Sequence, residues 1–150
     1  MITLKPGDTA PEFESKDQDG NPVKLSDFKG KKVVIYFYPK DNTPGCTAES
    51  CNLRDNYEAL QANGYEVLGV SSDGEKSHQK FINKYELPFK LLADEDKSVH
   101  NAFGTWDLKK FMGREYMGTL RSTFIIDEDG KIEEVIEKVK TKDHTAQILK

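Results

Sequence analysis

Six apolar residues in a row, Val33-Val-Ile-Tyr-Phe-Tyr38, stop at Pro39. The run is short and rich in β-branched and aromatic side chains, so it reads as a strand. Lacking a polar face, such a strand is buried on both sides, as in a sheet covered by helices. Tyr65 to Ser72, Lys90 to Asp94 and Ser122 to Asp127 read as three more strands. Helical patterns fall between them, over Pro44 to about Ala62, Glu75 to Tyr85 and Ser98 to Phe103. Thr43 suits the N-cap of the first helix, Pro44 its first position, and Gly64 the stretch just past its end. In the second, Phe81, Ile82 and Tyr85 share one face. Asp17 to Pro22 reads as a hairpin turn between Phe13 and Val23. Asp127-Glu-Asp-Gly130 turns into Lys131 to Lys138, which fits strand or helix by pattern and strand by its turn. His144 to Lys150 reads as a terminal helix. This order indicates an α/β protein with a mixed central sheet flanked by helices, an N-terminal β-hairpin and an antiparallel edge.

The 150 residues show no repeat or low-complexity linker, and one domain over 1–150 is expected. A chain of this size buries about two-thirds of its unfolded surface and stands without cross-links. The net charge of −4 and pI near 5.4 argue against nucleic acid or an anionic membrane as partner. No secretory pattern opens the sequence, and its apolar runs are far too short to span a membrane. A cytoplasmic setting is therefore expected. There, paired cysteines are more often catalytic, redox-sensing or metal-binding than structural.

Both cysteines lie in one segment, Pro39-Lys-Asp-Asn-Thr43-Pro44-Gly-Cys46-Thr-Ala-Glu49-Ser-Cys51. On a regular helix, positions i and i+5 hold their α-carbons roughly 8.7 Å apart. A disulfide needs under about 7 Å, so the pair stays reduced on an intact helix and joins only if the helix unwinds. With Thr43 as N-cap, Cys46 is the third helical residue, near unsatisfied N–H groups and the positive end of the macrodipole. That setting is expected to favour thiolate over thiol. Cys51, a turn later, is less acidic. The asymmetry divides the labour: Cys46 attacks and Cys51 arrives afterwards. The alternative is a pair of small buried hydrophobes.

Other residues carry weaker signals. Thr43 is accounted for as an N-cap, with a substrate contact as an addition. Arg121 reads either as an exposed edge arginine or as a cation aimed at Cys46. Glu49 reads as support for the helix start, and Tyr38 and Trp106 as packing residues. His78, His100 and His144 have no metal-ligand spacing with the cysteines and read as surface or packing residues. A disulfide reductase prefers C-x2-C, and copper delivery prefers closer cysteines with a histidine nearby.

The segment Pro39-x3-Thr43-x2-Cys46, with Cys51 beyond it, resembles the peroxiredoxin active-site pattern in its peroxiredoxin Q (bacterioferritin comigratory protein) form. Tyr36 to Thr47, Gly69 to Asp73, Leu87 to Asp94 and Arg121 to Asp127 resemble the same subfamily in the same order. The resemblance implies a thioredoxin-like fold and a thioredoxin-dependent peroxidase of the atypical two-cysteine type, acting on hydrogen peroxide or organic hydroperoxides. It implies Cys46 as the peroxidatic and Cys51 as the resolving cysteine, joined by an intramolecular disulfide. Thr43 and Arg121 match the positions that hold peroxide and thiolate. Pro39 matches the residue that shields the sulfur, and Pro44 and Gly45 the loop whose N–H groups face substrate. No cofactor or metal is implied. The carboxy-terminal Tyr-Phe helix of dimeric peroxiredoxins has no counterpart before Lys150, so a monomer is expected.

Glycine and proline in Thr43-Pro-Gly tether the first turn weakly. Oxidation to the disulfide is expected to lower the helical circular dichroism reversibly. An unchanged spectrum after quantitative bond formation refutes the unwinding.

Overall fold

The computed structural model describes residues 2–150. An antiparallel hairpin of β1 (Glu14–Lys16) and β2 (Pro22–Lys24) comes first. Asp17 closes its turn, accepting the backbone N–H groups of Asp19 and Asn21 on one carboxylate oxygen. Then follow β3 (Lys32–Phe37), α1 (Pro44–Asp55), α2 (Tyr57–Ala62), β4 (Tyr65–Ser71), α3 (Glu75–Tyr85), β5 (Lys90–Ala93) and α4 (Ser98–Phe103). A second hairpin, β6 (Trp106–Phe111) and β7 (Arg114–Thr119), leads to β8 (Ser122–Ile126), β9 (Ile132–Ile136) and α5 (His144–Ile148).

The central sheet has the order β5-β4-β3-β8-β9. β3 runs parallel to β4 and β4 to β5, while β8 is antiparallel to both β3 and β9. The sheet is mixed, as expected, with β3 at its centre. Successive strand residues face opposite sides, so β3 feeds two cores. Val33, Ile35 and Phe37 pack with Leu68, Phe124 and Phe103 beneath the first hairpin and α4. Val34, Tyr36 and Tyr38 pack on the other face with Leu53, Leu60, Phe81 and Ile148 from the helices. Cys46 lies in this second core. Each such buried side chain contributes roughly 1.5–3 kcal/mol.

Two features depart from expectation. The helix from Pro44 breaks at Asn56, which has φ −114° and ψ 11°. The Asn56 side-chain amide donates to the Asn52 carbonyl at 2.8 Å, while its backbone N–H turns to Leu53, three residues back. Asparagine competes with the helix for its own carbonyls, and the axis resets. The β6–β7 hairpin was not foreseen. Its turn residues Met112 and Gly113 both have positive φ, 50° and 78°, the two-residue hairpin geometry usually served by asparagine and glycine. Methionine hides that signal. The hairpin also carries Leu108, Phe111, Met112, Tyr116 and Met117, large apolar residues exposed to solvent.

The link from sheet to site passes through Tyr36. Its hydroxyl lies 2.9 Å from Ser50 Oγ on α1, and its ring occupies the space over Gly69. A Cβ at Gly69 would meet the Tyr36 ring at 2.9 Å and Leu91 at 2.6 Å. Gly69→Ala is expected to destabilise the fold by roughly 1–3 kcal/mol, read as a lower urea midpoint. An unchanged midpoint would show that the site's floor has slack.

Candidate active site

The loop from Pro39 to Thr43 hangs from the end of β3 and is tied to α3. Asp41 is buried and accepts the Tyr38 hydroxyl at 2.6 Å on one oxygen. Its other oxygen accepts the Ser77 hydroxyl and meets His78 Nδ1, each at 2.7 Å. The Asp41 backbone N–H donates to Asp73 at 2.7 Å. Asn42 sits in the left-handed region (φ 58°), where asparagine is tolerated. Its side-chain oxygen accepts the Tyr85 hydroxyl at 2.9 Å. Two consecutive residues thus anchor the start of α1 to one helix.

Thr43 occupies the N-cap position in extended conformation, but its hydroxyl makes no capping bond. It donates to the Lys40 carbonyl at 2.8 Å instead. The expected cap holds for position and fails for the side chain, because the loop supplies a carbonyl within closer reach. Its oxygen lone pairs remain available to an incoming donor. Pro44 is exposed at the first helical position, Gly45 and Pro39 are half-buried, and Cys46 is only 1% exposed.

Arg121 reaches this sulfur from a distant part of the chain. Ser122 pairs with Phe37 in the β3–β8 ladder, so Arg121 stands beside the end of β3, where the cysteine loop begins. Its Nη2 lies 3.3 Å from Cys46 Sγ, and its Nη1 donates to Glu49 Oε1 at 2.7 Å. The edge-exposed reading of Arg121 is therefore overturned. A Cβ at position 45 would come to 3.3 Å of Nη2, so Gly45 admits the guanidinium. Burial opposes the Arg121 charge, yet the neighbouring Cys46 and Glu49 outweigh it and raise its pKa.

Glu49 also differs from expectation. Rather than supporting the helix start, it is fully buried. Burial pushes its carboxyl from the ordinary 4.5 to about 7, against the opposing pull of Arg121. Its Oε2 has no hydrogen-bond partner among the described residues. His144 Nε2 lies 3.6 Å away, beyond hydrogen-bond reach. Burial, aided by Arg121, lowers the His144 pKa, so the ring supplies no counter-charge. Spacing could have revealed Glu49: residues 46, 49 and 50 share one helix face, and Cys46 turns that face to the core.

Cys51 is free, as is Cys46, and is partly buried on the same unbroken helix. Burial is the main cause raising its thiol. It opens on a shallow groove with Asn42, Thr47 and Tyr85. All three histidines are buried packing residues. His78 joins Asp41 to the Leu92 carbonyl, and His100 joins Asp94 to Thr119. Tyr38 is buried in the core, and Trp106 packs edge-on against His100.

The AhpC/TSA family profile matches residues 6–135. Peroxiredoxin Bcp of Bacillus subtilis (strain 168) is 49% identical over 148 residues, covering 99% of this chain and 94% of that protein. Peroxiredoxin Bcp of Escherichia coli (strain K12) is 49% identical over 149 residues, covering 99% and 96%. The bacterioferritin comigratory protein of Xanthomonas campestris, solved in work on its alkyl peroxide reduction activity, superposes with a TM-score of 0.87. It is 33% identical, covering 99% of this chain and 95% of that one.

A raised carboxyl pKa makes stability depend on pH. The Glu49 contribution is fully present below its unfolded value of 4.5 and is lost as pH rises through about 7. From about pH 4 to about pH 8, wild type is expected to lose roughly 3 kcal/mol relative to Glu49→Gln. Parallel urea stabilities across that range would sink the assignment.

Proposed function

We propose, from the premise that this chain belongs to the AhpC/TSA family and is a thiol peroxidase of the peroxiredoxin Bcp type with a thioredoxin-like fold, that Cys46 reduces the peroxide and Cys51 resolves the product. The observation that carries this reading is the guanidinium of Arg121, 3.3 Å from the buried Cys46 sulfur. A fixed cation at that distance favours an anionic sulfur and faces the charge that develops as an O–O bond breaks.

The Cys46 thiolate attacks the terminal oxygen of hydrogen peroxide or an organic hydroperoxide. Sulfur gives two electrons to the O–O bond and takes the terminal hydroxyl as sulfenic acid; the other oxygen leaves, with one proton, as water or alcohol. The Thr43 hydroxyl has donated its hydrogen to Lys40, so its lone pairs can accept the peroxide O–H. N–H groups of the first turn, at Gly45 and Cys46, complete the donor set, and Pro39 covers the sulfur from the loop. The reduction of alkyl peroxide named for the Xanthomonas relative supports including organic hydroperoxides.

Resolution requires α1 to open. Cys51 then displaces water from the sulfenic acid, forming the Cys46–Cys51 disulfide, and a thioredoxin-type dithiol reduces it by exchange. The anchoring of Asp41 and Asn42 to α3 supports a hinge beyond Thr43, within α1. We take the protein to act as a cytoplasmic monomer, in a compartment that keeps such a pair reduced between turnovers.

Fast peroxide titration with intact-mass readout tests the division of roles. Cys46→Ser is expected to be inert, and Cys51→Ser to react once and accumulate sulfenic acid. Rapid peroxide consumption by Cys46→Ser reverses the assignment. Arg121→Met is expected to slow the peroxide step by roughly 10²–10³-fold, measured by stopped-flow; a wild-type rate would remove it from the mechanism.

A further inference from the structure

Glu49 lies wholly inside the protein, one helical turn from the reacting sulfur, with one oxygen on the guanidinium and the other unpartnered among the described residues. While Arg121 also faces a negative sulfur, it compensates this buried carboxylate only in part, and burial favours the protonated form. The geometry around Oε2 shows which form is stable. Gln147 is oriented by the backbone: its amide N–H donates to the Lys138 carbonyl and its oxygen accepts the Lys140 N–H, each at 2.9 Å. That oxygen also lies 2.7 Å from His144 Nδ1, so Nδ1 carries the hydrogen. In the neutral ring Nε2 is then an acceptor, and it takes the Thr123 hydroxyl at 2.7 Å. The ring nitrogen 3.6 Å from Glu49 Oε2 therefore has no hydrogen to donate to it. It gives a carboxylate no support and tolerates a carboxylic acid.

The charges facing this carboxyl come from four elements: Cys46 on α1, Arg121 before β8, His144 on α5 and the Tyr36 phenol on β3. Burial holds that phenol well above its usual range, so it stays neutral. Arg121 is then the positive charge bonded to both groups that can be negative, while Lys109 on β6, held on the Thr119 carbonyl, feels the charges of Cys46 and Arg121 from farther off.

We propose that His144 and Gln147 hold Glu49 as a carboxylic acid while Cys46 is a thiolate, and that the single negative charge opposite Arg121 passes from sulfur to Glu49 when the sulfur is oxidised. This deepens the peroxidase reading above and rests on it. The balance closes: Cys46–S⁻, ROOH and Glu49–COOH become Cys46–SOH, ROH and Glu49–COO⁻. Sulfur loses two electrons to the O–O bond; the leaving alkoxide takes a proton from water and Glu49 gives one up to water, so the count closes without direct transfer between them. The net charge of the site is the same before and after. A carboxyl that titrates at about 7 is suited to change hands in this way. Glu49 and His144 are thus positioning residues: neither touches the substrate, and both act through Arg121.

Infrared difference spectroscopy of the Cys51→Ser protein, before and after one equivalent of peroxide, tests this directly. The background variant halts the reaction at sulfenic acid, confirmed by intact mass. A carboxylic-acid carbonyl band is expected to disappear on oxidation, and its loss to be absent in Glu49→Gln. His144→Gln, which can offer an amide N–H to Oε2, is expected to lack the band already in the reduced protein near neutral pH. Sulfenic acid forming with no carboxylic-acid loss, or the same loss in Glu49→Gln, overturns the charge transfer and leaves the peroxidase reading intact. Should Cys51→Ser fail to form sulfenic acid, the peroxidase reading falls and takes this inference with it. The Glu49→Gln pH–rate profile adds a second check. Wild type is expected to show an inflection near 7 that this variant lacks, and the same inflection in both would count equally against the proposal.

Discussion

One guanidinium fork organises this molecule. Arg121 spends one nitrogen on the Cys46 sulfur and another on the Glu49 carboxyl, and both acceptors sit on the same face of α1. The fork exists because β8 lies antiparallel to β3, with Ser122 against Phe37, which carries residue 121 to the place where the chain turns into the cysteine loop. Residues 75 apart in sequence meet there. Gly45 leaves room for the approach, and the buried face of α1 screens the charges from water, where such a pair would be worth little.

The remaining parts of the site hold that fork still. Asp41 and Asn42 fasten the loop to α3 through Ser77, His78 and Tyr85, and Asp41 also holds the Tyr38 hydroxyl at the end of β3. Tyr36 crosses from the central strand to Ser50 over the bare backbone of Gly69. α5 closes the far side: Thr145 meets Asn52 of α1, and His144 meets Thr123 of β8. Every helix on this face therefore touches either the cysteine loop or the helix that follows it.

Much of this was legible in the sequence because it is written in local chemistry. The apolar run to Tyr38 marks a central strand, Thr43-Pro44 marks a helix start, and the resemblance carried by Cys46, Cys51 and Arg121 marks the active-site segment. What escaped depends on contacts across the fold. Helical spacing puts Glu49 on the face of Cys46, but nothing local says that it meets Arg121 there, or that His144 packs beside it. The Thr43 hydroxyl was misassigned because its competing partner, the Lys40 carbonyl, becomes available only once the loop is bent. Asn56 hid a break in a pattern that otherwise reads as helical. Met112 took a turn position where residues adapted to positive φ are the usual sign.

The Tyr36–Ser50 contact has a consequence for timing. Ser50 neighbours Cys51, so in the proposed cycle this pin lies within the stretch that must loosen before the sulfurs join, and its strength would help set how long the sulfenic acid survives. A tight pin keeps the reactive geometry ready for the next peroxide and lengthens exposure to a second, irreversible oxidation; a loose one shortens that exposure and blurs the geometry. A phenol bonded to a hydroxyl, with neither partner charged, is a modest restraint. It balances readiness against self-inactivation without committing the protein to either extreme.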